Sequence, residues 1–238
     1  MEGFSYHNIF DTKGIEYVII LVFFAFLIPF WIILNKRSKK IRGVNKAFSL
    51  NLDRLRIPQG LLFNRNHTWM HLQRDGAAKI GLDDLLMHIA GPVKIQFAAN
   101  PGSKIKKGDL MAEIEQDKKV LQVYSPLSGE VQKSNRSLQE YPEDLNNHPF
   151  REGWIYEIKP SSWKAETNCC YLAEEASKWM KEELMRFKDF VMESTMIRGG
   201  KQNDIILQDG GELRDHTLRQ MPPEIWQDFQ KNFLSVFD

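Results

Sequence analysis

Two adjacent lysines are the residues of this sequence most able to do chemistry. They lie in a short polar segment between two apolar runs. The segment 106–131 reads KKGDLMAEIEQDKKVLQVYSPLSGEV. Alternating apolar residues before and after Glu-Gln-Asp-Lys-Lys predict two strands joined by a tight turn. Lys118 and Lys119 are therefore predicted at the tip of a β-hairpin, where an amine is held away from the domain body and is accessible to a modifying enzyme.

Short runs of alternating or β-branched residues around this hairpin predict a mainly β domain over residues 64–160. The predicted strands lie at 77–82, 93–98, 109–116, 120–126, 129–134 and 153–160. Strands this short and frequent, separated by turns, are typical of a small sandwich or barrel of hairpins. Segment 82–91 has leucines at helical spacing and ends in Gly-Pro, which predicts one short helix.

The most apolar stretch lies at 17–34 and contains no charged residue among its 18 positions. As a helix it would span roughly 27 Å, close to the ~30 Å hydrocarbon core of a bilayer. Basic residues follow it in NKRSKKIR, whereas the preceding segment is mostly acidic, so its C-terminal side is predicted to be cytoplasmic. A cleaved signal peptide would have the reverse charge order. We expect a single-pass cell-membrane protein in contact with lipid, with residues 1–16 extracytoplasmic and the bulk of the chain cytoplasmic.

The remaining segments differ from the β domain in composition. Residues 35–63 are basic at first and read as a juxtamembrane linker. Residues 161–238 predict a mostly α C-terminal extension of unknown role, with helical composition over 163–194 and a helix that begins at the prolines of PPEIWQDF. Asp-Gly-Gly at 209–211 predicts a β-hairpin within this extension.

The charge and cysteine content narrow the classes of partner. The chain has 32 basic and 31 acidic residues, which argues against nucleic acid as a general partner. Its two cysteines, Cys169 and Cys170, are adjacent, a spacing that fits neither a disulfide between them nor a zinc site. His88 and His148 have no partner at metal-ligand spacing, so we expect no metal site.

The order of motifs across residues 64–160 resembles the glycine cleavage H-protein family of lipoyl carriers. That family has HEWV, ESVK, Tyr-Ala-Pro-x-Ser-Gly-Glu and Gly-Gly-Trp-Ile in this order. This chain has HTWM at 67–70, EQDK at 115–118, YSPLSGE at 124–130 and EGWIYEIK at 152–159. The resemblance implies a lipoyl-carrier fold and a protein that is a substrate for other enzymes and not an enzyme itself.

The register of the resemblance selects one of the two lysines. The family's lipoyl lysine lies eight residues before the proline, and counting back from Pro126 leads to Lys118. The lipoyl domains of 2-oxoacid dehydrogenases, which look like Glu-Thr-Asp-Lys-Ala, select the same residue. The resemblance therefore implies covalent lipoate on Lys118, and the hairpin would be recognised through Glu115, Asp117 and Gly129.

Four residues beside the lysine depart from the family pattern. Gln116 and Asp117 replace its Ser-Val, and Lys119 and Val120 replace its Ala-Ala. We expect the added charge to alter the grip of the lipoylating enzyme or the docking of partner enzymes. The biotin signature, a lysine between two methionines, is absent.

Three hypotheses about function follow. The first is a membrane-anchored lipoyl carrier that a lipoate ligase or lipoyl transferase modifies. It would shuttle a group or electrons among the P, T and L proteins of glycine cleavage, as the family does, or within a membrane-associated redox complex. The second is a non-lipoylated docking or structural subunit of such a complex. The third is a lipoyl relay that passes the arm to other proteins.

Overall fold

The computed structural model describes residues 10–35, 50, 52–197, 207–208 and 212–235, and the chain divides into two units. The first unit, Met1–Lys46, contains the helix α1 (Phe10–Asn35). The transmembrane helix predicted at 17–34 is helical within α1, but a membrane span is not confirmed. Among the residues described, no helix is long and apolar enough to cross a membrane. The predicted segments 1–16 and 35–63 lie partly outside the described residues.

The second unit, Ala47–Asp238, is built on antiparallel β-sheets. Its strands are β1 (Leu62–Phe63), β2 (Thr68–Leu72), β3 (Ala78–Leu82), β4 (Lys94–Phe97), β5 (Lys104–Ile105), β6 (Leu110–Gln116), β7 (Lys119–Tyr124), β8 (Gly129–Ser134), β9 (Trp154–Pro160), β10 (Tyr171–Leu172), β11 (Leu207–Gln208) and β12 (Glu212–Leu213). One sheet has the order β10-β1-β2-β3-β9-β8-β5, and a second has the order β4-β6-β7, which leaves β7 at an edge. The β11–β12 pair confirms the strands of the hairpin predicted around 209–211.

Among the described residues, five short α-helices and one long α-helix connect and cover these sheets. They are α2 (Asp84–Ala90), α3 (Ser137–Glu140), α4 (Asp144–Asn147), α5 (Trp163–Glu166), α6 (Ala173–Ile197) and α7 (Pro223–Phe229). The predicted helix at 82–91 is confirmed as α2. Asp83 caps it by accepting a hydrogen bond from the Leu86 amide at 2.8 Å, and it ends at Gly91 with φ 81°.

The mainly β fold with a helical C-terminal region is confirmed, with two corrections of detail. The six predicted strands correspond to β3, β4, β6, β7, β8 and β9. Strands β1, β5 and β10 were not predicted, because two residues are too few to show alternation. Strand β2 was not predicted either, because its first three residues are all buried and do not alternate. The helix predicted throughout 163–194 is wrong at 167–172, since Leu172 pairs with Leu62 and α6 begins only at Ala173, whose φ is 51°.

The C-terminal extension shares one hydrophobic core with the β domain. Its aromatic side chains are buried together with those of the sheets, and the largest buried residues include Phe63, Trp69, Tyr156, Phe187, Trp226, Phe229 and Phe233. Phe229 and Phe233 stack at 4.7 Å between ring centroids, and Phe187 meets Phe229 edge-on at 5.7 Å. The aromatic residues of the extension are therefore part of the core.

A buried ion cluster joins α6 to the start of β2. His67 Nδ1 lies 2.8 Å from Asp83 Oδ2, and His67 Nε2 lies 3.7 Å from Glu183 Oε2. Burial alone would lower the pKa of His67, but the charge and hydrogen bond of Asp83 and the nearby charge of Glu183 raise it to about 9. At neutral pH the protonated imidazole therefore compensates two buried carboxylates.

A second histidine joins α2 to the segment after β12. His88 Nδ1 lies 2.8 Å from Asp215 Oδ1, and its Nε2 lies 3.5 Å from Asp84 Oδ2. Burial opposes the charged form here too, but hydrogen bonds to Asp215 and Asp84 raise the pKa of His88 to about 9. Both histidines thus hold the C-terminal extension on the β domain while they are protonated.

The raised pKa values predict a stability that declines above neutral pH. Both folded-state pKa values, about 9, exceed the ordinary 6.5, so the stabilisation is complete below pH 6.5 and disappears as pH rises through about 9. We expect the free energy of unfolding in urea to fall by a few kcal/mol across this range, at about 1.4 kcal/mol per pKa unit. His88→Gln should reduce the fall, whereas His71→Gln, at an exposed histidine, should not. An unfolding free energy independent of pH would contradict this.

Candidate functional site

The predicted hairpin is formed by β6 and β7 and has a two-residue turn. Gln116 pairs with Lys119, so Asp117 and Lys118 alone make the turn. Their φ values are 49° and 67°, both in the left-handed region that a two-residue hairpin turn of type I′ requires. Aspartate tolerates this conformation, but lysine there costs about 1 kcal/mol. Strain of this kind at an exposed turn is typical of a functional position.

Lys118 is at the tip, as predicted, and its side chain is exposed. Among the described residues, no hydrogen bond or ion pair reaches its amine. The prediction that Lys119 shares the tip is wrong, because Lys119 is the first residue of β7 and its side chain is half-buried. The structure therefore distinguishes two lysines that the sequence places side by side.

The amine of Lys119 is held by residues of the C-terminal extension. Its Nζ donates hydrogen bonds to the carbonyl oxygens of Arg219 at 2.6 Å and Met221 at 3.0 Å. It also lies 4.9 Å from the centroid of the Trp226 ring, a cation–π distance. Burial lowers the pKa of Lys119, an effect that Asp117 opposes and Arg219 reinforces.

Asp117 and Gln116, the other polar residues at the hairpin that differ from the family pattern, also have partners within the chain. Asp117 Oδ2 lies 3.7 Å from Arg219 Nε, with side chains 66% and 48% exposed, so the pair contributes roughly 0–1 kcal/mol. Gln116 is buried and donates from Nε2 to the Pro92 carbonyl at 2.6 Å. Two of the departures therefore contact one C-terminal segment, which lies a hundred residues away in the sequence.

We call residues 213–235, which lie beside the hairpin, the strap. Its Gln230 accepts a hydrogen bond from the Gln122 amide at 2.7 Å and donates one to the Gln122 carbonyl at 3.2 Å. Because β7 is an edge strand, these backbone groups have no neighbouring strand in the described part of the chain, and the carboxamide bonds both of them as a strand would. The strap thus covers the open edge of the hairpin sheet.

Packing within the strap holds its shape. The Trp226 indole donates to the Leu218 carbonyl at 2.7 Å, and the Met221 amide donates to the same carbonyl at 3.0 Å. Trp226 and Phe229 are buried in the common core. The carbonyl groups that bind Lys119 therefore belong to an ordered segment anchored at several points.

The remaining predicted recognition residues are not all at the tip. Glu115, on β6, accepts a hydrogen bond from Gln96 Nε2 at 3.2 Å and is half-exposed close to the turn. Gly129 begins β8 in the other sheet, where a Cβ atom would lie 2.3 Å from the Lys159 carbonyl oxygen. The structure brings Glu115 and Asp117 to the Lys118 hairpin, while Gly129 meets a packing requirement elsewhere. Recognition by these residues stays a prediction.

The geometry fits covalent acylation of Lys118. Converting its amine to an amide removes a charge that has no described counter-ion and breaks no described hydrogen bond, whereas acylation of Lys119 would disturb both of its bonds. Within the described part of the chain, no cluster of His, Cys, Asp and Glu is arranged to hold a metal ion. The strap was not predicted from the sequence. The signal available for it was the pair of charged residues at 117 and 119, which depart from the family pattern.

Known proteins that are similar to this chain are glycine cleavage H proteins. The family model described as Glycine cleavage H-protein matches residues 61–183, which is 123 of 238 residues. A probable glycine cleavage system H protein of Thermococcus gammatolerans is 33% identical over 126 residues, covering 53% of this chain and 93% of the relative. The glycine cleavage system H protein of Rubrobacter xylanophilus is 38% identical over 105 residues, covering 44% and 82%.

A solved structure is also similar to part of the chain. The crystal structure of a glycine cleavage system H protein from Mycobacterium marinum has a TM-score of 0.42 and 22% sequence identity, and the match covers 44% of this chain and 87% of that chain. The family model ends at residue 183, within α6, so the strap lies outside the matched region.

Proposed function

The chain belongs to the glycine cleavage H-protein family, and on this premise we propose that it is a carrier whose lipoyl arm is attached to Nζ of Lys118. Proteins of this family are carriers that hold a covalently attached lipoate. The observation that supports the proposal most is the amine of Lys118, which is exposed at a two-residue turn and has no partner among the described residues. Lys119, the alternative, is held by the strap.

The residues of this chain present the arm and do not carry out the chemistry. When bound, the lipoyl group supplies a dithiolane whose chemistry is thiol–disulfide exchange. The rigid β6–β7 pairing fixes the direction in which the turn presents Lys118, and the left-handed conformation keeps both turn residues clear of the sheet. Transfer of a group or of electrons would take place in the active sites of partner enzymes.

The family implies the class of partner. A lipoate ligase or lipoyl transferase would attach the arm, and the glycine-cleavage P, T and L proteins would use it. The apolar helix α1 and the C-terminal extension support a narrower proposal, in which the arm serves a membrane-associated redox or one-carbon assembly. A partner that docks at this hairpin would meet the strap as well as the family domain.

We also propose that α1 attaches the chain to the cell membrane, with the second unit on the cytoplasmic side. The described side chains at 17, 18 and 20–30 are all exposed, and none of them is charged. Exposed apolar surface of this extent is typical of a membrane or protein contact. The basic segment that follows at 36–42 supports the orientation.

Attachment predicts that the full chain floats with membranes in a density gradient after lysis. A variant lacking residues 1–35 should stay in the soluble fraction, because it lacks the apolar helix. Protease added to sealed inverted vesicles, whose cytoplasmic face is outward, should digest the second unit. Recovery of the full chain in the soluble fraction would contradict the attachment, and protection of the second unit would contradict the orientation.

Lipoylation predicts the mass of the protein isolated from its native cell. The intact chain should be heavier than its sequence by one lipoyl group, and peptide mapping should place that group on Lys118. Lys118→Arg should abolish the modification because the guanidinium is not an acyl acceptor. Lys119→Arg is the matched control and should retain it.

Unmodified Lys118 in protein from the native cell would contradict the carrier function. It would support the alternative, a docking or structural subunit that keeps the family domain without lipoate. If Lys118 is modified but Lys118→Arg lowers the lipoylation of other proteins in the same cell, the arm is being passed on. That result would support the lipoyl relay.

A further inference from the structure

We propose that the strap determines which of the two adjacent lysines is acylated, by holding the amine of Lys119 away from the acyl donor. Lys118 and Lys119 are neighbours in the sequence, yet the strap contacts the side chain of only one of them. The inference rests on the proposed function for the identity of the acyl group. The difference in access between the two amines does not depend on that identity.

The direction of the pKa shift at Lys119 favours reaction at its amine. An amine attacks an acyl carbon only in its neutral form, so a lower pKa increases the reactive fraction at neutral pH. Burial lowers the pKa of Lys119. The lowered pKa therefore does not protect Lys119 from acylation, and selection must come from access.

The strap supplies this restraint through two carbonyl groups and one ring. Nζ of Lys119 donates to the carbonyl oxygens of Arg219 and Met221, and the Trp226 ring lies 4.9 Å away. A secondary amide nitrogen has one N–H, so acylation would leave at least one of these carbonyl groups without its partner. The cost of acylating Lys119 therefore includes breaking its contacts with the strap.

The strap is also bonded directly to the β6–β7 hairpin. Gln230 bonds both backbone groups of Gln122 in β7, three residues beyond Lys119. The indole of Trp226 donates to the Leu218 carbonyl in the adjoining turn of the strap. The strap therefore cannot leave Lys119 without losing its own packing, and Lys118 remains the accessible amine.

The reaction is the same at either lysine. The neutral amine attacks the carbonyl carbon of an activated lipoyl donor, such as an acyl adenylate. A C–N bond forms, the C–O bond to the nucleotide phosphate breaks, and the nucleoside monophosphate leaves. Nζ loses one proton to a base or to solvent, and no atom is oxidised or reduced. Because this chemistry does not distinguish the lysines, their surroundings must.

Trace labelling of the folded full chain with acetic anhydride tests the difference in access without lipoate. Lys118 should be acetylated at least about tenfold faster than Lys119, the factor expected from breaking one hydrogen bond to a charged amine. Trp226→Leu, which removes the ring, and Gln230→Ala, which releases β7, should each raise the acetylation rate of Lys119. Gln227→Ala, at an exposed position on the same helix α7, is the matched control and should leave both rates unchanged.

Equal acetylation of the two lysines in the wild-type chain would overturn the proposal, as would a Lys119 rate unaffected by both variants. Circular dichroism establishes that each variant is folded. Should Trp226→Leu fail to fold, Gln230→Ala still decides the question, because that substitution is at a partly exposed position and removes three side-chain hydrogen bonds, two to Gln122 and one to Ser235.

Lipoylation in vitro with a lipoate–protein ligase, ATP and lipoate then tests selection by the modifying enzyme. Lys118→Ala should remain unmodified, and Lys118→Ala combined with Trp226→Leu should acquire lipoate on Lys119. The opposite outcome is a double variant that takes no lipoate on Lys119 even though acetic anhydride acetylates Lys119 freely. That result would show that the position in the turn alone selects the lysine, and it would overturn the proposal. A wild-type chain that takes no lipoate would instead contradict the proposed function, and the acetylation ratio would still test the strap.

Discussion

The edge strand β7 has backbone groups that need hydrogen-bond partners, and the chain supplies them from its own C-terminal end. The Gln230 side chain bonds both the amide and the carbonyl of Gln122. This contact brings the strap along the hairpin to the two-residue turn, where its carbonyl groups reach Lys119. The restraint on Lys119, which leaves Lys118 as the accessible amine, is thus a consequence of how an open sheet edge is covered. The same contact shields that edge from pairing with other chains.

Two protonated histidines connect this arrangement to the rest of the domain. His67 compensates Asp83 and Glu183 in the interior, and His88 joins α2 to Asp215, just before the region that holds Lys119. A buried carboxylate without a partner is costly, so these contacts make the extension part of the folded unit. The family match ends at Glu183, the residue that contacts His67, whereas Asp215, which contacts His88, lies beyond it. The chain therefore combines a family domain with a C-terminal segment that contacts its functional hairpin.

The local features of this site were predictable from the sequence, and its long-range contacts were not. Alternation around Glu-Gln-Asp-Lys-Lys predicted the hairpin, because period-two burial is a local property. The contact between Lys119 and the strap leaves no local pattern, since it depends on packing of residues a hundred positions apart. Likewise, the protonated state of His67 depends on Glu183, which the sequence shows only as a polar position in a helix. The charged residues Asp117 and Lys119 were visible in the sequence, but their contacts with Arg219 were not.

Amide hydrogen exchange at Gln122 tests most directly whether the strap is docked on the hairpin. In the full chain this amide should exchange slowly, because the Gln230 side chain accepts its hydrogen bond on a strand edge that is otherwise open. Gln230→Ala should accelerate exchange at Gln122, and Gln227→Ala should not. Exchange at Gln122 as fast as at an unprotected edge amide in the wild-type chain would contradict the account.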